Sequence, residues 1–211
     1  MLIEPVIERA IQLESQSAPR HGSVTAPVVS RGTQRWGLVA GLLLFGAVWG
    51  TLFGLLAYVS RARQPQPWSA AKWGFLLALA TGWTVSLFPF LKYPANPPGV
   101  GEPATIGYRQ GLYFGFMALS IAGTALAAGL HRLLRRRRRW IAPVAYALYA
   151  VAVFALMPSN PEPVRMPARL VWTFRTVSLS ALIVFWMILG GAFARLVDWR
   201  GLPSRGKVSD A

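Results

Sequence analysis

The sequence predicts an all-α, polytopic transmembrane helix bundle of five full spans preceded by a short N-terminal helix. Three observations carry that prediction. The stretches Trp36–Ser60, Trp73–Leu91, Gln110–Leu130, Trp140–Pro161 and Thr176–Ala194 contain no charged residue. At 25, 19, 21, 22 and 19 residues, each is long enough for a hydrocarbon core of about 30 Å at about 1.5 Å per residue. Hydrophobic residues make up 54% of the chain and charged ones only 14%, against about a quarter charged in soluble domains. A helix facing water would carry charge on its outer face, and these stretches carry none on any face.

The elements follow in order. Residues 1–35 form an N-terminal amphipathic helix and connector. Leu2, Ile3, Val6, Ile7, Ala10, Ile11 and Leu13 recur at helical spacing, while Glu4, Glu8 and Gln12 fall on another face at i, i+4. A helix of about 13 residues is too short to span. It reads either as an interfacial helix or as the remnant of a sixth span whose beginning precedes Met1. Residues 15–30, rich in Ser and containing two prolines, read as a connector. The bundle occupies 36–197, with spans at about 36–60, 73–91, 110–130, 140–157 and 176–195, and 198–211 is a tail. In the first span Gly46, Gly50 and Gly54 form a GxxxGxxxG series, which predicts close helix packing in lipid. Gly111 with Gly115 and the pair Gly190–Gly191 are smaller versions of the same signal. Trp36, Trp68, Trp73, Tyr93, Tyr108, Trp140 and Trp199 lie near span ends, where interfacial aromatic belts form.

The net charge of +15 comes from basic residues at the ends of apolar runs, most densely Arg132 and Arg135–Arg139. That placement points to topology and anionic headgroups, and no nucleic-acid partner is expected. Counted on alternate sides, one set of loops holds 13 Lys or Arg and the other 9. The expectation is a multi-pass protein of the cell inner (cytoplasmic) membrane, with the polyarginine loop and C-terminus cytoplasmic. The 92–109 loop then faces outward. The chain has no cysteine and only His21 and His131, so thiolate metal sites and thiol nucleophiles are excluded. It also lacks a phosphate-binding Gly-Lys-Ser loop, a His-Glu-x-x-His pair and a serine-nucleophile turn. The reading is a non-enzyme with no cofactor.

One polar segment stands out. Residues 89–109, PFLKYPANPPGVGEPATIGYR, contain five prolines and three glycines, which prevent a continuous helix. Lys92, Tyr93, Asn96, Glu102, Tyr108 and Arg109 supply its polar groups, and Pro94, Pro97 and Pro98 restrict its shape. It reads either as an interfacial loop or as a re-entrant cap over a pathway, since irregular backbone near lipid is tolerated where protein buries it or water reaches it.

That segment resembles the signature of CbtA, a family of predicted cobalt transporter subunits. Further similarity lies in EPVIERAIQLE at 4–14, SRGTQR at 30–35 and WTFRTVSLSALIVFW at 172–186, and in order and spacing the resemblance covers nearly the whole chain. Members of that family usually begin with another hydrophobic helix running into the EPxIExAxxxE segment, so the resemblance implies an incomplete start here. It also implies cobalt uptake linked to cobalamin synthesis, commonly beside a small one-span partner with a histidine-bearing tail (CbtB).

The expected role is therefore that of an integral membrane component of a cobalt, or divalent-metal, uptake system. Co²⁺ accepts imidazole, carboxylate and carbonyl ligands, so Glu4, Glu8, Asn96 and Glu102 are the candidate cation path; the metal ligands themselves stay unassigned. The other reading of Glu4 and Glu8 is that they solvate the outer end of the N-terminal helix or pair with Arg9 and Arg31. Lys92, Arg109 and Arg175 would repel a cation unless paired, and Glu102 is expected to pair with Arg109 or Arg175. Two alternatives stand beside this: a non-transporting membrane scaffold or accessory component, and a carrier of an anion or organic solute.

Overall fold

The computed structural model describes residues 9, 12, 31–64, 68–98, 100, 103–160 and 166–199. Five helices long and apolar enough to cross a bilayer run through them, and no strand occurs among the described residues. We label them α1 (Arg31–Ser60), α2 (Ala70–Lys92), α3 (Ile106–Leu133), α4 (Ile141–Leu156) and α5 (Ala168–Trp199). The chain is a multi-pass, all-α membrane protein.

Four of the helices continue past the uncharged runs, because a long basic side chain at a helix end reaches the interface along its own stem. Charge marks where the hydrocarbon ends, not where the helix ends. α4 instead stops at Leu156, short of Pro161: Met157 is already extended, and Pro158 disfavours helical backbone in the residue before it. Local chemistry sets the starts as well. The Ser69 hydroxyl accepts the Lys72 N–H at 3.1 Å, capping α2. Pro143 falls in the first turn of α4, where a missing N–H breaks no helical bond. The Pro167 carbonyl receives the Leu170 and Val171 N–H groups at the head of α5. Arg9 and Gln12 are helical and exposed. The expected carboxylate face at Glu4 and Glu8 lies outside the described residues.

Packing divides the chain into two units, Met1–Gln16 with Ala80–Phe185, and Ser17–Leu79 with Trp186–Ala211. In the first unit, α2 widens into a π-turn at Trp83–Leu87. The cause is legible in the bonds. The Phe88 N–H reaches back five residues to the Trp83 carbonyl, so it no longer serves the Thr84 carbonyl. The next donor in that register would be residue 89, a proline with no N–H. Ser120 on α3 repairs the gap, its hydroxyl donating to the Thr84 carbonyl at 2.6 Å. The Thr84 and Thr124 hydroxyls lie 3.0 Å apart beside it. Around this polar node Phe88, Phe116 and Val153 form the core, with Tyr93, Tyr149, Ala150 and Met157 packed on it. Gly123 leaves room for the Tyr149 ring, whose hydroxyl donates to the Leu119 carbonyl at 2.9 Å.

In the second unit α1 meets the end of α5 through aromatic edges, Trp49 on Trp186 at 5.5 Å and Phe53 on Phe193 at 5.3 Å. The Phe193 ring also occupies the space above Gly74. A Cβ placed on Gly190 would stand 2.9 Å from the Ala78 Cβ and 3.1 Å from the Phe75 ring.

The packing expected of Gly46, Gly50 and Gly54 takes another form. A Cβ on any of the three would meet no described atom within 4 Å. Gly46, Gly50 and Gly54 are half-buried beside Trp49 and Phe53, and it is those aromatic rings that meet α5. A close approach does fall at the expected Gly190, and two more fall at Gly74 and Gly123, which the sequence did not single out.

Candidate functional site

Within the first unit, three long-range hydrogen bonds fasten the proline-rich segment that follows α2. The Lys92 ammonium donates to the Phe154 carbonyl at 2.8 Å and lies 5.0 Å from the Phe154 ring centroid. That carbonyl belongs to the last turn of α4, where helical acceptors lack intrahelical donors and a cation complements the helix dipole. The Tyr93 hydroxyl donates to the Pro158 carbonyl at 2.6 Å, and its ring meets Phe116 edge-on at 5.7 Å. Burial, with a smaller contribution from Tyr108, pushes the Tyr93 phenol above its ordinary value. The third bond runs from the Arg175 guanidinium on α5 to the Asn96 side-chain carbonyl at 2.8 Å. Pro97 is fully buried, and the Val100 N–H closes a turn on its carbonyl at 3.3 Å.

Two cavities of about 380 and 530 Å³ adjoin the segment and share Tyr93, Pro94, Asn96 and Asn160 in their walls. The smaller adds Arg109, Gln110 and Tyr113 from α3. The larger adds Lys92 together with Trp172, Arg175 and Thr176 from α5. Every charged residue described in these walls is a cation. Among the described residues no cluster of three His, Cys, Asp or Glu is positioned to hold a metal ion. The walls can therefore offer amide carbonyls and phenols as neutral ligands, and guanidinium and ammonium donors to an anionic group.

Of the residues singled out in the sequence, Lys92, Tyr93, Pro94, Asn96 and Arg109 line these cavities. Tyr108 is 54% exposed on α3, and Pro98 is exposed at the turn. Asn96 is one of the residues of the candidate cation path. Its side-chain carbonyl accepts from the Arg175 guanidinium, which sets a fixed positive charge beside it. Glu102 and its expected pairing with Arg109 or Arg175, like Glu4 and Glu8, lie outside the described residues. Sequence reasoning gave no site role to Asn160, Gln110, Tyr113, Trp172 and Thr176, although the last two fall in the WTFRTVSLSALIVFW string; single neutral letters do not advertise a cavity wall. It also missed the Thr84–Ser120–Thr124 node. A signal existed there: Pro89 inside an uncharged run requires a lost helical bond, and Ser120 with Thr124 at i, i+4 is a natural donor face.

A family model described as probable cobalt transporter subunit (CbtA) matches residues 1–198, and the chain belongs to that family. No curated protein and no solved structure matches it.

Proposed function

We propose that the chain, as a CbtA-family member, is the integral membrane subunit of a cobalt uptake system that feeds cobalamin synthesis. The observation that carries this is the family match over nearly the whole chain. Five membrane-length helices support it, as do the two cavities at the end of α2, whose walls carry polar side chains. In this reading the protein sits in the cytoplasmic membrane, with the Arg132–Arg139 loop and the C-terminus inside and the 92–109 loop outside. Single cysteines at positions 104 and 204 of this cysteine-free chain test the orientation with an impermeant thiol reagent. Labelling at 104 alone is expected, and labelling at 204 alone reverses it.

Glu4, Glu8 and the 92–102 segment form the outer mouth, capturing the ion by field and weak coordination so that release stays fast. Lys92, Tyr93, Asn96 and Arg175 hold that mouth in shape. A small one-span, CbtB-like partner supplies the imidazoles that this chain largely lacks. Cobalt accumulation is measured in cells or liposomes containing the chain alone and then with that partner. Glu4→Gln with Glu8→Gln is expected to lower uptake at limiting cobalt while membrane insertion persists. Unchanged affinity and rate, where the parent exceeds background, overturns the carboxylate mouth.

A second reading, carriage of an anion or organic solute, is favoured by Lys92, Arg109 and Arg175 in the cavity walls. Uptake of an anionic solute without metal accumulation in the same liposomes would select it.

A further inference from the structure

In the second unit, the end of α1 with its following turn, the start of α2 and the last turns of α5 enclose a cleft of about 340 Å³. Its walls are mainly apolar, among them Gly54, Ala57, Trp73, Phe193 and Leu196, and among the described residues that line it Arg61 is the charged one. Several features place the cleft at the depth of the membrane interface. The Trp73 indole N–H donates to the Ser60 hydroxyl at 3.1 Å, and the Gln64 side-chain amide donates to the Trp68 carbonyl. The Lys72 ammonium sits 4.6 Å from the Trp68 ring centroid. Tryptophan and lysine at helix ends are the usual markers of the headgroup level.

The residues flanking the cleft continue its charge. Arg63, Lys72 and Arg195 are at least partly exposed on the same three segments, and Asp198 is the one acidic residue among the described residues there. An apolar slot surrounded by lipid does not stay empty, since unfilled walls forfeit their dispersion contacts. Bilayer chains are the filler at hand, and the Arg61 guanidinium in the wall selects which headgroup comes with them.

We propose that this cleft binds an anionic glycerophospholipid, with one acyl chain along Gly54, Ala57 and Leu196 and the phosphate against Arg61. The site is independent of which solute the bundle moves. Binding is measured on the full chain in detergent by native mass spectrometry, with phosphatidylglycerol and phosphatidylcholine of identical chains, and with inorganic phosphate added to the phosphatidylcholine arm. Phosphatidylglycerol is expected to bind about fivefold more tightly, the factor one basic residue near the headgroup supplies. Arg61→Gln removes that preference and Arg61→Lys retains it. Gly54→Leu fills a space in which a Cβ meets no atom within 4 Å, so it lowers binding of both lipids alike. Equal binding of the two lipids by the parent overturns the proposal, as does a preference that survives Arg61→Gln. Full lipid binding by Gly54→Leu overturns the acyl slot. Phosphate alone reproducing the effect of phosphatidylglycerol assigns the site to a free anion and overturns the lipid.

Discussion

α1 and α2 invert the rule that governs soluble proteins. The most apolar window of α1 has a mean hydropathy of 2.1 and only 6% of it is buried, while that of α2 has 1.6 and 39% buried. In water the greasier helix would be the inner one. In lipid an apolar side chain loses nothing by facing outward, so burial follows whatever lets backbones approach or hydroxyls find partners. α2 carries Gly74, Ala78, Gly82 and Thr84 on buried positions. α1 offers an aromatic ridge and leaves its leucines to the bilayer.

The largest effect that tests this contrast is a pair of glycine substitutions. Gly190→Leu drives a side chain into Ala78 and Phe75 and should destabilise by on the order of 3 kcal/mol, the upper end for overpacking. Gly50→Leu, in open space, should leave the detergent melting temperature of the lone chain unchanged. A comparable loss at Gly50 would mean that another chain covers the α1 groove.

At the far end of α2, Asn96→Ala strips the Arg175 guanidinium of its one described hydrogen-bond acceptor. The expected cost is about 2 kcal/mol, as for bonds to charged groups. Faster proteolysis of the 92–100 segment is the readout, and an unchanged cleavage rate would mean that the other two bonds suffice. A smaller effect comes from the node inside α2. Ser120→Ala leaves the Thr84 carbonyl without its donor and should cost about 1 kcal/mol, the range found for hydrogen bonds between membrane helices. Pro89→Ala returns an N–H to the backbone, so the Ser120→Ala cost should shrink in that background. Equal costs in both backgrounds would show that the proline does not cause the π-turn. Smallest is Lys92→Met, expected to lose about 0.5 kcal/mol of helix-terminus stabilisation at Phe154 on thermal unfolding; no shift would leave the ammonium contact without weight.

The spans were legible because a bilayer writes its thickness into sequence as an absence of charge. The glycine signal marks a close approach at Gly190 but none within the described chain at Gly46, Gly50 and Gly54, for a physical reason. GxxxG states that a backbone can be approached, not which element approaches it, and the neighbours of Gly74 and Gly190 were set by Phe193, Ala78 and Phe75 far along the chain. The proline segment announced itself through composition, yet its fastenings join residues 62, 65 and 79 positions apart. Two of those three end on backbone carbonyls, which every residue carries and no letter marks.

The π-turn has one more consequence. It holds one residue more than an α-turn would, and one residue is worth about 100° of rotation about the helix axis. Everything from Phe88 to Lys92 is therefore clocked against the first half of α2 by a single inserted position. The family string begins at Pro89, directly after that phase shift. Winding the unchanged sequence evenly through Trp83–Leu87 would swing the entire proline segment to a different azimuth, with no functional letter altered.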